Sequence, residues 1–525
     1  MMAETSPPEQ PTQAHAICVQ QGFDPADALS TQFLLCENPA ETLPGLEAIE
    51  LDRFTLQLGR EMPRVEMRDE KGRLFGVFMG IGVDPDGALI TDGSFSRFNL
   101  DAKDFVTDLE AYIAYSAGRY AVVIDCPRAH EMLFDPVAHL STVYDPQTRR
   151  AASSVMLALT RPIIENPLFD TTAIGNGRAR GDTEIAYLLG HSRDAQVKFC
   201  MPNHRLNLDS FTPERIWPLP DSFPPCAADE HEKLVGEMVE RLRAILHALV
   251  DNHPSIMPIS GGTDSRKLVA CVTDKLDQIG ELFAFQHTRY ADLDATTGEY
   301  VVTELLGQPF RRYTELDAAD HAAKRPFEKR QAKRLFWMRT SSVAPPPNEH
   351  SRGLTSLTPP GHLHLRGNVM DVMRGVWWGS FANRAEMVSL NLEQEIGSLF
   401  LTGSPSKEVI AKWAEDYIRW KLTLPENAQA LVYDFIFLEL FLHVSSAKYY
   451  GYERNFYICP FSDRKLIETS LRFPVEVRFA GTLNEMFLEA ADPRLANQPY
   501  RGGVRDLIKA GKWTPKTAIR EDAAE

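Results

Sequence analysis

The stretch PISGGTDSRKLVA, Pro258 to Ala270, constrains the fold of this chain more than any other. An apolar run, SIMPIS, leads into it; a helical pattern follows, and then a second apolar run, GELFAFQH. Strand, loop, helix and strand in that order form a βαβ unit, which places its two strands parallel in one sheet.

The loop itself has the chemistry of an anion site. A loop between a strand and a helix N-terminus points backbone N–H groups outward, and the helix dipole adds partial positive charge. Gly261 and Gly262 let the backbone come close to an anion. Ser260 and Ser265 offer hydroxyl donors, and Arg266 adds a fixed positive charge. Asp264 would repel a bare phosphate, but it suits one that carries Mg²⁺ between carboxylate and phosphate. The set points to a Mg·nucleotide held by its pyrophosphate. It is not a Walker A loop, since G-x-x-x-x-G-K-[ST] is missing. The alternative is a Ser/Gly turn that caps a helix, with Asp264 in the first turn favouring the dipole.

With 525 residues the chain is too long for one ordinary core. Hydrophobic residues at 44% and charged residues at 24% are those of a soluble globular protein. A net charge of −16 argues against a nucleic-acid partner, because phosphate backbones are repelled. Cys18, Cys36, Cys126, Cys200, Cys226, Cys271 and Cys459 are scattered, and no two have C-x-x-C spacing. That argues against a disulfide framework and a zinc ribbon, and a reducing cytoplasmic setting is expected. MMAETSPPEQPTQ reads as a disordered tail over 1–13, not a signal peptide. No long apolar run predicts a membrane span.

Residues 14–215 read as short strands separated by turns: LDRFTLQLG, GRLFGVFMGIGV, GALITDG, RYAVVID, HLSTVYD and RRAASSVML, with one helix in LDAKDFVTDLEAYIAYSAG. This is a mixed layer with mainly antiparallel sheets. A Pro-rich linker covers 216–232. In HEKLVGEMVERLRAILHALVDN, apolar Leu234, Val235, Met238, Val239, Leu242, Ile245 and Leu246 recur at helical steps. The βαβ unit follows, and the chain beyond about 385 reads as mainly helical. GNGRARG (175–181) lacks Rossmann spacing and reads as a loop, and His362 and His364 read as strand residues and not a metal pair.

SGGTDS, Ser260 to Ser265, resembles the S-G-G-x-D-S loop of the N-type ATP pyrophosphatases, which cleave ATP between the α and β phosphates to adenylate a substrate. The flanks resemble the asparagine synthetase branch. DATTGEYVVTELLG places Asp294, Val302, Leu306 and Gly307 at the matching spacing. RGNVMDVMRG is similar to that branch's second Gly- and acid-rich loop: Gly367, Asp371 and Gly375 fit, while Asn368 and Val372 stand where the family has Glu. ICPFSDRKLIE resembles its V-P-F-L-D segment at Pro460, Phe461 and Asp463. Gly118, Tyr120, Asp135, Tyr144, Ala152 and Ser153 fit the later strands of the family's glutaminase domain, and VKFCMPNHRLNLDSFTPERIWPL resembles the bridge between domains. The likeness covers roughly 70–510.

The resemblance implies an α/β and α+β chain. An Ntn-hydrolase-like sandwich of antiparallel sheets would occupy 14–215, and a parallel-sheet ATP-pyrophosphatase domain with a mainly helical C-terminal part would occupy 233–515. A tail would cover 516–525. A glutaminase of this class needs an N-terminal Cys after the initiator, and here Met1, Met2 and Ala3 begin the chain. The first domain is therefore expected to be a degenerate amidotransferase fold, as in β-lactam synthetases and lasso-peptide cyclases, which the layout resembles. The implied function is an ATP-dependent, AMP-forming ligase that adenylates a carboxylate and joins it to an amine. A non-catalytic binding protein and an ammonia- or glutamine-dependent asparagine synthetase are the alternatives. Asp264 and Asp371 would hold Mg²⁺. Ile259, Ser260, Gly261, Gly262, Thr263, Ser265, Arg266, Phe285, Gly367 and Asn368 would contact ATP. Arg501 is the candidate late cation, with Arg505 and Lys509 near it. Asp294 is a further candidate site residue, and Phe283 is another candidate for the adenine slot. Partners would be small-molecule or peptide carboxylates and amines, with a homodimer left open.

Overall fold

Period-two alternation builds the first two sheets. In strand β1 (Phe33–Glu37), Phe33 and Leu35 enter one core, while Leu34 and Cys36 enter another. The computed structural model describes residues 11–37, 41–169, 188–286, 289–324, 334–336, 338–340, 353–382, 387, 389, 391–400, 406–443 and 454–515. Its further strands are β2 (Leu46–Glu50), β3 (Phe54–Gly59), β4 (Arg64–Arg68), β5 (Leu74–Val83), β6 (Ala117–Cys126), β7 (Ala129–Phe134), β8 (Val143–Asp145), β9 (Arg150–Ala152), β10 (Lys198–Phe199), β11 (His204–Asn207) and β12 (Thr212–Arg215). The third sheet adds β13 (Ser255–Pro258), β14 (Ile279–Gln286), β15 (Arg311–Thr314), β16 (Leu363–Leu365) and β17 (Phe456–Ile458).

The first two sheets are antiparallel, in orders β10-β8-β9-β1-β3-β2 and β12-β11-β7-β6-β5-β4. They face each other across a core of Phe33, Leu56, Val77, Met79, Val123 and Met132. The helix Gln13–Gln21 and the turn Val155–Ala158 cover the outer face of one sheet. The helix Phe105–Ala114 covers the outer face of the other, against Phe75, Phe78 and Tyr120. The result is a four-layer αββα sandwich, the mixed antiparallel architecture expected.

Four expectations change. Thr12 caps the helix Gln13–Gln21, accepting from the His15 N–H, so order begins within the expected tail. GALITDG forms no strand beyond one bridge between Val83 and Leu89, and Asp92–Phe95 is a 3-10 turn; the DPDG turn leaves too few residues for a ladder. RRAASSVML is strand only to Ala152, because Ser154 caps the short helix that follows. The strand β17 interrupts the helical region, at a place where the sequence is too short and irregular to show period two. GNGRARG and the tail 516–525 lie outside the described residues.

The third sheet is wholly parallel, in order β15-β14-β13-β16-β17. The helix His231–Asn252 precedes it and buries all seven of the periodic apolar residues, from Leu234 to Leu246. No helix among the described residues is long and apolar enough to cross a membrane.

The two halves are joined by buried charge. Asp463 caps the helix Arg464–Arg472 through the Leu466 N–H and accepts from Arg241 at 2.7 Å. Arg241 also donates to the Asp84 and Pro85 carbonyls of the sandwich. Gly118 N–H donates to Ser462 O, and Arg119 donates to Tyr457 O. The PFSD stretch is thus an interdomain anchor.

Close backbone approach fixes where the helix after β14 sits. A Cβ on Gly298, in the helix Arg289–Glu299, would lie 2.2 Å from the Ile259 carbonyl oxygen. Backbone there cannot yield without moving the end of β13, so Gly298→Ala is expected to cost about 2–3 kcal/mol in urea unfolding. Gly236→Ala, with nothing within 4 Å of its added carbon, should instead stabilise by up to about 1 kcal/mol.

Candidate functional site

Strand order places the site. The chain moves outward from β13 through β14 to β15, then returns to the other side of β13 to lay down β16 and β17. The order therefore reverses between β13 and β16. In open parallel sheets, ligands bind outside the carboxyl ends at this switch point. The loop after β13 is Ile259–Gly262, and the loop after β16 is Arg366–Gly367. The two sequence segments singled out above are the two loops that flank the crevice.

The helix Thr263–Ala270 begins at Gly262, an N-cap with extended backbone and no side-chain cap hydrogen bond. Ser260 Oγ accepts from the Gly262 N–H at 3.4 Å, and no side chain caps the N–H groups of the first helical turn. Ser265 Oγ turns back to accept from the Ser260 N–H at 3.1 Å, which shapes the loop. Ile259 is fully buried beneath it, donating its N–H to Phe283 O.

Three further segments meet this loop. A Cβ on Gly367 would lie 2.9 Å from Asp264 Cβ, so the second loop packs on the first. A Cβ on Gly261 would lie 2.7 Å from both Asp294 Oδ1 and Arg501 Cγ. Asp294 and Arg501 form an ion pair over Gly261, with Arg501 about half exposed. Arg501 opens the helix Arg501–Lys509, some 200 residues further along the chain. Asp294, Asp264, Asp371 and Arg501, chosen from separate motifs, thus lie in one crevice.

The carboxylates are bridged by cations. Arg374 touches Asp264 Oδ2 at 3.2 Å and Asp371 Oδ1 in a short contact. Lys267 reaches Asp264 Oδ1 at 3.3 Å and donates to Asn484 Oδ1 at 2.6 Å. Behind them, Arg478 pairs with Asp434 through both carboxylate oxygens and donates to Val372 O. Trp378 Nε1 donates to the same Asp434. This buried network braces the turn Asn368–Arg374 from below. Lys267, Arg374, Arg478 and Asp434 were not anticipated. A signal exists for two of them: Lys267 and Arg374 each stand three residues after an acid, where helical spacing puts them side by side.

One candidate is corrected. Arg266 does not face the loop. It is fully buried, stacks over the Tyr500 ring at 4.0 Å, and donates to the Gln498 and Pro499 carbonyls. One turn into the helix, it has rotated away from the N-terminal mouth and instead anchors the segment that carries Arg501. Phe285 lies at the carboxyl end of β14, half-buried against Phe283, Tyr313 and His364. Asn368 and Thr263 are half-buried at the crevice, whereas His364 is buried in the sheet and stacked on Tyr457, as a strand residue.

Burial also sets the Lys267 titration. Desolvation pushes its ammonium from 10.5 down to about 8, with Asp264 opposing. The unfolded chain holds this proton more tightly, so the penalty is full below pH 8 and fades as pH rises towards 10.5. The stability of Lys267→Met relative to wild type should be greatest below pH 8. It should shrink by up to about 3 kcal/mol by pH 10.5, read from urea titrations.

The donor chemistry suits Mg²⁺. Two hard carboxylates from two loops meet at one point that already attracts a cation, and Mg²⁺ is commonly held by one or two carboxylates plus substrate phosphates. Elsewhere, Asp52, Asp125 and His130 bring ligand atoms within 4.8 Å of one another. Asp125 there already accepts the Arg53 and Phe54 N–H groups and pairs with His130, so the cluster locks a strand end. Cys18 is buried mid-helix, and burial pushes its thiol up to about 11, the opposite of an activated nucleophile. The sequence matches no family model and no curated protein.

Proposed function

We propose that this protein is an ATP-dependent ligase that adenylates a substrate carboxylate, releases pyrophosphate, and passes the acyl group to an amine with release of AMP. The observation that carries this reading is the convergence of Ser260–Ser265, Asp371, Asp294 and Arg501 at the switch point of a parallel sheet. The resemblance to the N-type ATP pyrophosphatases adds the bond that is cleaved.

The open N-terminus of the helix Thr263–Ala270, with Ser260, Gly261, Gly262 and Ser265, cradles the pyrophosphate. Asp264 and Asp371 would hold Mg²⁺, which when bound would neutralise charge on the phosphates. A substrate carboxylate oxygen bonds to the α-phosphorus as the α–β bridging bond breaks, and the electron pair leaves with pyrophosphate. The amine nitrogen then bonds to the acyl carbon, the bond to AMP breaks, and the amine loses a proton to solvent. Arg501 screens charge over Gly261, from a position that now pairs with Asp294. Phe285, half-buried at the end of β14, would line an adenine slot, whereas Ile259, fully buried in the core, could meet ATP only through its backbone. The buried Cys18 supports a first domain without glutaminase activity. A cytoplasmic setting would fit seven cysteines that are buried and form no disulfide with one another.

The test is a screen of carboxylic acids, with and without amines, for AMP and pyrophosphate release from Mg·ATP. One acid that drives both in equal amounts bears the reading out. ATP binding with no AMP release from any acid points to the second reading, a nucleotide-binding protein without turnover. The pairing of both acids with Lys267 and Arg374 favours that reading.

A further inference from the structure

Arg374 stands out among the site's charges. It closes the turn Asn368–Arg374, and one guanidinium nitrogen touches both Asp264 and Asp371. Among the described residues its Nε is buried without a hydrogen-bond partner, and the two carboxylates are the acids that hold the group. Its side chain is one-third exposed, and it therefore sits at the mouth of the crevice. Lys267, by contrast, is fully buried and fixed from behind by Asn484. Of the two cations on Asp264, Arg374 is the one with room to leave.

A divalent cation cannot share those carboxylate oxygens with a guanidinium, because like charges at contact distance repel strongly. A metal that takes Asp264 Oδ2 and Asp371 Oδ1, the oxygens Arg374 now holds, displaces it. The displaced side chain is long, planar and always charged, and it pairs with phosphate through two parallel N–H bonds. The negative charge within its reach is then the diphosphate that the metal accompanies.

We propose that Arg374 is a resident counter-ion: it bridges Asp264 and Asp371 in the nucleotide-free protein, yields them to the metal, and turns onto the diphosphate. Together with Lys267 on Asp264, it balances the two negative charges until metal and diphosphate arrive together. This rests on the nucleotide reading above, and the test separates the two.

Two probes are titrated separately: Mn²⁺ alone, followed by its electron paramagnetic resonance signal, and inorganic pyrophosphate in excess chelator, followed by calorimetry. Arg374→Met should bind Mn²⁺ about tenfold more tightly and pyrophosphate about tenfold more weakly than wild type. Asp371→Asn should show the reverse for Mn²⁺, at least about tenfold weaker, with pyrophosphate binding undiminished because Arg374 is released. Arg374→Lys keeps the charge but not the fork and should shift both probes in the Arg374→Met directions by about threefold. It serves if Arg374→Met fails to fold. A purely structural Arg374 would weaken both probes together or move neither, and either result overturns the inference while leaving nucleotide binding intact. A wild-type protein that binds neither probe overturns the nucleotide reading and this inference with it.

Discussion

Asp264→Asn is expected to lower acid-dependent AMP release by roughly a thousandfold, the scale of losing a preorganised charge at a reacting phosphate. The shape of the side chain is kept, so the packing of Gly367 on residue 264 survives. What disappears is the charge that joins the two loops. Arg374 keeps Asp371 alone, and Lys267 keeps Asn484 alone. Binding of Mg·ATP should fall with turnover, whereas ATP in chelator should bind nearly as well, since the Ser260–Ser265 cradle is untouched. The melting temperature, followed by circular dichroism, should show that the fold persists. Acid-dependent AMP release within threefold of wild type would place Asp264 outside the chemistry.

Glu439→Ala is expected to cost about 3–5 kcal/mol, the penalty of leaving a buried charge without its partner. Glu439 is fully buried and accepts four hydrogen bonds from three residues. Arg215 donates to both its oxygens at 2.7 and 2.8 Å, Asn203 at 3.0 Å and Trp420 at 2.8 Å. Burial pushes its carboxyl up, but the charge and hydrogen bonds of Arg215, with His204 and Asn203, hold it below the ordinary value. Arg215 and Asn203 belong to the sandwich, while Glu439 and Trp420 belong to the helical part, so the loss falls on the joint between halves. Glu439→Gln keeps one acceptor and should cost less than half as much. The check is the urea midpoint of the first unfolding transition. A cost for Glu439→Ala below about 1 kcal/mol would mean that solvent or a neighbour replaces the pair.

Much of the site was legible because local chemistry is written contiguously. Ser260 to Ser265 form one strand–loop–helix turn, and glycine pairs, serines and an acid at that point have few structural reasons to occur together. The seven periodic apolar residues of the helix His231–Asn252 were legible for the same reason: a repeat of 3.6 needs only neighbours to be seen. Arg266 was misplaced because its charge is local but its direction is not. A helix turns by about 100° per residue, and four residues past the N-cap, at the end of the first turn, this side chain faces the core. There Tyr500 and two carbonyls from a distant segment wait for it.

The sequence by itself determined the βαβ unit, its Gly- and Ser-rich turn and the alternating strands of the sandwich, since each follows from residues within a few positions of one another. Tertiary structure alone decided that β16 lies beside β13, which makes the crevice a switch point and sets Asp371 against Asp264. It alone placed Arg374 between those carboxylates and Arg501 on Asp294. Unlike charges that meet in a half-buried crevice attract too strongly to remain apart, yet which of them meet depends on strand order, and no stretch of sequence carries strand order.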